Sequence, residues 1–223
     1  MKKTTLFLTL LCIYGLNAQI QISNLTYNSV ANSGPSKLQL FNNKIFFSAA
    51  NDGSGRELWS SDGTSSNTNL VKDINPGEEN GLGYFCSTIL NNNLFFVANE
   101  TNTYNGTGEI WKTDGTLLGT TLVTNFNGRI YGLTTVGDFI FYVIKTSENI
   151  MQVWKTDGTL LGTQLVKNEI LVWNYPSFQG SVNNKFIFTQ QLPSSEYSKI
   201  WRSDGTELGT YPMTGPIDGN GSG

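Results

Sequence analysis

Four acidic residues recur at a single interval. Asp52, Glu100, Glu148 and Glu196 stand 48 residues apart at each step. Hard cations such as Ca2+ take oxygen ligands. Four carboxylates brought to one rim by a repeating fold are therefore candidate ligands for Ca2+ or for a cationic group. The competing reading is four solvated loop residues. A second series, Asp62, Asp114, Asp157 and Asp204, stands before glycine in the phrase Ser/Thr-Asp-Gly-Thr. There a carboxylate bonds its own backbone while glycine takes the left-handed conformation, which is turn chemistry. Among the aromatics, Trp173 and Tyr175 are candidate ligand contacts, because Trp173 alone of the five tryptophans lies outside the recurring phrase. Burial is the alternative for both.

Other chemistries are excluded by what the chain lacks. It has no histidine, so histidine-based triads and histidine metal sites cannot be built. Of two cysteines, Cys12 falls in an N-terminal leader, leaving Cys86 without an intrachain disulfide partner and without a thiolate zinc site. Cys86 is expected to be a buried, inert thiol. A glycosidase needs two carboxylates at a defined separation. The irregular acidic pair is Glu78-Glu79, and adjacent loop glutamates are ordinarily solvated. No glycine-rich phosphate loop opens a helix. Beyond Ca2+ at the rim, no cofactor is implied. A net charge of −3, with no basic run after the first three residues, argues against nucleic acid and anionic membrane surfaces as partners.

The elements that must position these residues follow from repetition. Trp59, Trp111, Trp154 and Trp201 each open the phrase Trp-x-Ser/Thr-Asp-Gly-Thr, spaced 52, 43 and 47 residues apart. Self-similarity at that period marks a solenoid or a propeller. The first repeat divides into four strands: residues 37–41, 44–49, 57–60 and 68–74. Asn42-Asn43 makes the first hairpin and Asn75-Pro76-Gly77 stops the last strand. The second strand is expected to begin at residues 44, 93, 138 and 185. No sustained helical period appears, and charged residues are 14% of the chain, against roughly 25% in average soluble proteins. The expected fold is all-β and β-propeller-like, with four repeats of a four-stranded antiparallel blade. Each phrase tryptophan would pack between blades.

Residues 1–18 read as a secretory signal. Lys2 and Lys3 precede an apolar run from Leu6 to Leu16, with cleavage after Ala18. Residues 19–36 are an N-terminal strand and linker, 37–214 the four-repeat domain, and 215–223 a flexible Gly-rich tail or the start of a fifth repeat. A complete four-bladed unit and a fragment of a longer chain both fit. The expected location is outside the cell or on its outer surface, with no membrane span once the signal is removed.

Glu57-Leu-Trp-Ser-Ser-Asp-Gly-Thr64 and Leu70-Val-Lys-Asp-Ile-Asn-Pro-Gly77 resemble the ELWxSDGT repeats of secreted Bacteroidetes proteins. Leu118-Gly-Thr120, Leu161-Gly-Thr163 and Leu208-Gly-Thr210 carry the middle of that pattern. Repeat one departs from it, with Asn67 in place of the glycine. The resemblance implies a propeller-like extracellular protein, often a type IX secretion substrate with a C-terminal sorting domain, and implies no established activity. The leading functional expectation is a non-enzymatic module that binds an extracellular glycan or protein. The alternatives are a polysaccharide hydrolase or lyase, and a purely structural spacer.

Overall fold

The computed structural model describes residues 33–51, 53–83, 86–99, 107–147, 150–171, 179–191 and 198–213. Among them sixteen strands form four sheets. Blade 1 comprises β1 (Ser36–Phe41), β2 (Lys44–Asn51), β3 (Gly55–Ser61) and β4 (Asn69–Lys72). Blade 2 comprises β5 (Ser87–Leu90), β6 (Asn93–Ala98), β7 (Thr107–Thr113) and β8 (Thr121–Asn127). Blade 3 comprises β9 (Arg129–Val136), β10 (Phe139–Ser147), β11 (Ile150–Thr156) and β12 (Gln164–Leu171). Blade 4 comprises β13 (Gln179–Val182), β14 (Lys185–Gln191), β15 (Ser198–Ser203) and β16 (Tyr211–Pro212). Within each sheet the strands pair antiparallel in chain order, so every blade is a simple meander. The fold is all-β and propeller-like.

Local chemistry sets the register. Asn42 and Asn43 adopt φ of 47° and 58°, Asn91 and Asn92 47° and 56°, and Asn183 and Asn184 48° and 58°. Two consecutive left-handed residues make the tight hairpin whose twist matches that of the strands, and asparagine tolerates that region. Blade 3 replaces the pair with Gly137-Asp138, so β10 starts at Phe139, one residue later than the sequence reading placed it. The last strand of blade 3, β12, is also longer than its counterpart β4 in blade 1. The strand runs on to Leu171, pairing Met151 with Ile170 and Ile150 with Leu171. Repeat one is stopped by Pro76, and repeat three has no proline there to interrupt the ladder.

Strand alternation gives each blade two apolar faces, which neighbouring blades bury. Phe46, Leu58 and Val71 of blade 1 pack with Leu94, Phe96 and Trp111 of blade 2. Phe95, Val97, Ile110 and Val123 then meet Ile140, Tyr142 and Trp154 of blade 3. Phe141, Val143, Val153 and Val166 meet Phe186, Phe188 and Trp201 of blade 4. Trp111, Trp154 and Trp201 pack between blades as expected, whereas Trp59 packs only with residues of its own blade among the described residues. A fourth cluster, Phe47, Ala49 and Trp59, occupies the opposite face of blade 1. Cys86 is half-buried against the second cluster, less enclosed than expected, because it sits at the very start of the β5–β6 pairing, where its carbonyl accepts the Val97 N–H at 3.1 Å.

The first strands of blades 2, 3 and 4 lie side by side, β9 touching both β5 and β13. Thr135 donates to the Ile89 carbonyl at 2.8 Å, and the Gln179 amide donates to the Tyr131 carbonyl at 2.6 Å. The blades are thus joined by polar contacts near the axis as well as by the apolar layers.

Candidate ligand-binding cleft

The Asp-Gly turns account for nearly every letter of the repeated phrase. Asp114 Oδ1 accepts the Thr116 N–H and hydroxyl, both at 2.8 Å. Asp62, Asp157 and Asp204 do the same for Thr64, Thr159 and Thr206 at 2.7–3.0 Å. The hydroxyl before each aspartate (Ser61, Thr113, Thr156, Ser203) accepts the glycine N–H at 2.9–3.1 Å. It also bonds the closing threonine (Thr68, Thr120, Thr163, Thr210) at 2.7–2.9 Å. The threonine side-chain bond, foremost, holds each carboxyl below the usual carboxylate range. A Cβ at Gly119, Gly162 or Gly209 would collide with the carboxylate of Asp114, Asp157 or Asp204, which explains the second glycine of the phrase. Repeat one substitutes Asn67, whose amide donates to Asp62 Oδ2 at 2.6 Å. The turn-chemistry reading of these aspartates describes what they do.

The same turns couple the blades. A Cβ on Gly115, Gly158 or Gly205 would lie 3.3, 2.6 or 3.2 Å from the ring of Phe46, Phe95 or Phe141 on the preceding blade. Lys112 donates to the Gly158 carbonyl at 3.4 Å, and Lys155 to the Gly205 carbonyl at 2.9 Å. The sequence reading missed this role. Its signal was visible, since lysine follows tryptophan in the same phrase in repeats two and three.

Where blade 3 meets blade 4, this coupling opens into a cleft of about 200 Å³. Its walls come from the blade 3 hairpin (Asp138, Phe139), the β11 lysine (Lys155), the blade 4 hairpin (Asn184) and the last Asp-Gly turn (Asp204). Asp138, Asn184 and Asp204 are exposed and Phe139 is half-buried. Lys155 Nζ lies 4.8 Å from the Phe139 ring centre, a cation–π distance. The sequence explains why this junction differs. At the position of Phe139 the other repeats carry Lys44, Asn93 and Lys185, and at that of Asp138 they carry asparagine. One aromatic surface among carboxylate, amide and ammonium groups suits a polyhydroxylated ring. The volume lies below the roughly 300–1,000 Å³ of sites that enclose a drug-sized ligand. It admits a single small group.

A different acid carries the largest perturbation. Glu57 is fully buried, and its carboxyl accepts the N–H groups of Ile74 at 2.8 Å and Gly81 at 2.6 Å. Burial pushes its pKa up to about 7, with Asp73 adding repulsion, against the lowering by those backbone bonds. A side chain on Gly81 would strike the Glu57 carboxyl. Glu57 pins the loop after β4 onto blade 1 and has no solvent face for a substrate. Sequence reasoning passed over it because a glutamate in a repeated strand reads as ordinary.

Asp52, Glu100, Glu148 and Glu196, the rim carboxylates, and Trp173 and Tyr175 all lie outside the described residues. Among the described residues, no three acidic or cysteine side chains cluster as a metal site would require.

No protein-family model matches the chain, and no curated protein matches it. Several solved structures are similar in fold. A family 117 glycoside hydrolase of Zobellia galactanivorans aligns with TM-score 0.48 and 9% identity, covering 87% of this chain and 73% of that one. An α-L-arabinofuranosidase of Clostridium thermocellum aligns with TM-score 0.42 and 14% identity, covering 82% and 74%. Oligopeptidase B of Leishmania major aligns with TM-score 0.36 and 10% identity, covering 82% and 34%. The names differ in chemistry, and at these identities none lends its activity to this chain.

Proposed function

We propose that the chain is a non-enzymatic binding module that holds one sugar residue of an extracellular glycan in the cleft between blades 3 and 4. The observation that carries this reading is the local break in the repeat, Asp138-Phe139, at a blade junction where described residues line a cleft. Phe139 offers an apolar ring to the C–H face of a sugar. Asp138, Asn184 and Asp204 offer acceptors and a donor to its hydroxyls.

The same geometry favours binding over hydrolysis. A glycosidase acid must keep its proton near neutral pH while facing the substrate. Asp204 is held below the ordinary carboxylate range by Thr206, and the acid with the raised value, Glu57, is sealed inside blade 1. The basic and apolar leader (residues 1–18) supports an extracellular address, which mass measurement of a mature chain starting at Gln19 would test.

The functional test is a glycan array followed by titration of the best ligand. Wild type is expected to bind without releasing reducing ends. Phe139→Ala is expected to weaken binding about 10-fold or more, through loss of about 1.5 kcal/mol of ring contact. Reducing-end release by pure protein would replace the binding reading with the enzymatic one. Undiminished affinity in both Phe139→Ala and Asp138→Ala would remove the cleft from the account.

A further inference from the structure

The cleft between blades 3 and 4 carries a charge that a neutral sugar does not need. Two departures from the repeat meet there, and both act in the same direction. At position 138 an aspartate stands where the other blades carry Asn43, Asn92 and Asn184. Asparagine presents a carbonyl acceptor in nearly the same shape, so toward a hydroxyl the aspartate adds mainly charge. At position 139 a phenylalanine stands where Lys44, Asn93 and Lys185 occur, and two of those three are cations. One change adds a negative charge and the other leaves out a positive one.

The other lining groups keep that bias. Asp204 is exposed, and both bonds it accepts from Thr206 use Oδ1. The Thr206 hydroxyl, foremost, holds its carboxyl below the usual range, so it is ionised at neutral pH. Lys155 is the cation among the described lining residues. Its ammonium is already committed to the Gly205 carbonyl at 2.9 Å and to the Phe139 ring. Lys185 and Arg202 act on Asp204 from nearby, but neither lines the cleft. Two carboxylates therefore face one engaged ammonium. The blade 3 hairpin also admits Asn184, since a Cβ on Gly137 would lie 3.1 Å from its Oδ1.

We propose that the sugar held here carries a protonated amino group, as in a glucosamine unit with a free amine, placed against Asp138 and Asp204. The proposal rests on the sugar-binding reading above and names the class of sugar. Phe139 meets the C–H face, Asn184 meets a hydroxyl, and the ammonium donates to the two carboxylates. An ammonium adds Coulomb attraction to bonds that a hydroxyl makes without it. Acylating the amine removes that charge and adds bulk to a cleft of only about 200 Å³.

The test titrates the full mature chain with a glucosamine trimer, its N-acetylated form and the glucose trimer of the same linkage. The titrations run at about pH 5.5, below the ordinary range of α-amino groups. The glucosamine trimer is expected to bind at least about tenfold tighter than the other two. Asp138→Asn restores the residue of the other blades. It is expected to reduce the preference to about twofold or less, with an unchanged melting temperature. Phe139→Ala is expected to weaken every trimer alike. Equal affinity for the amino and neutral trimers overturns the proposal and leaves sugar binding standing. So does a preference that survives both Asp138→Asn and Asp204→Asn, because the amine is then read elsewhere. Binding of no trimer overturns the proposal together with the reading it rests on. A lysine trimer bound as tightly as the glucosamine trimer overturns the assignment to a sugar.

Discussion

Glu57 and Glu109 hold the same place in consecutive repeats, two residues before the phrase tryptophan, and their surroundings assign them opposite tasks. Glu109 is half-exposed and accepts the Trp111 indole N–H at 2.8 Å and the Asn99 amide at 2.7 Å. Glu57 is fully buried and turns to the backbone of Ile74 and Gly81, leaving the Trp59 indole nitrogen buried without a partner. In blade 3, Gln152 bonds the Trp154 indole at 2.9 Å. In blade 4, Lys199 cannot accept, and Gln190 on the adjacent strand bonds Trp201 at 2.7 Å instead. The lesson is that a repeat position fixes a direction in space, whereas the nearest unsatisfied backbone group decides what a side chain there bonds. Blade 1 gave up its indole bond to fasten a loop.

The largest effect that sharpens this contrast is Glu57→Ala. Two buried N–H groups lose their acceptor, so a loss of about 3 kcal/mol or more is expected in urea unfolding. An effect no larger than that of the equivalent change at Glu109 would break the comparison. The second effect is on pH. With the folded-state pKa raised to about 7 from an ordinary 4.5, the unfolded chain releases the Glu57 proton first. Its contribution is therefore complete below about pH 4.5, declines as pH rises, and is gone above about 7. Melting temperature followed across that window should fall in wild type relative to Glu57→Gln, and parallel curves would show that Glu57 is not the titrating group.

Smaller effects test the turns. Gly209→Ala pushes a methyl group into the Asp204 carboxylate and should cost about 1–3 kcal/mol. Asn67→Gly makes repeat one conform to the other three and removes only an exposed amide bond, so a change within about 0.5 kcal/mol is expected. Glu109→Ala falls between them at about 1 kcal/mol, the worth of a part-buried hydrogen bond. Equal costs for Gly209→Ala and Asn67→Gly would mean that the carboxylate contact does not explain the phrase.

Much of the architecture was legible from residue order. The asparagine pairs announced the hairpins because left-handed φ is a local property, and strand alternation announced two buried faces per blade. The turn role of Asp62, Asp114, Asp157 and Asp204 was likewise readable, since all its partners lie within seven residues. The cleft was not. It depends on Phe139 and Lys155 meeting Asn184 and Asp204 from another blade, and no spacing rule within one repeat encodes which side chains face across a junction. Glu57 was hidden for the same reason, its partners being Ile74 and Gly81, outside its own hairpin.

The bond from Lys112 to Gly158, and from Lys155 to Gly205, always points from an earlier residue to a later one. The surface that receives each turn is therefore synthesised before the turn itself leaves the ribosome. Assembly can proceed as a ratchet, each blade presenting a finished template to its successor. A polypeptide emerging from its N-terminus never has to wait for downstream sequence to finish a turn already made, except at the first blade, whose own Asp-Gly turn has no predecessor among the described residues.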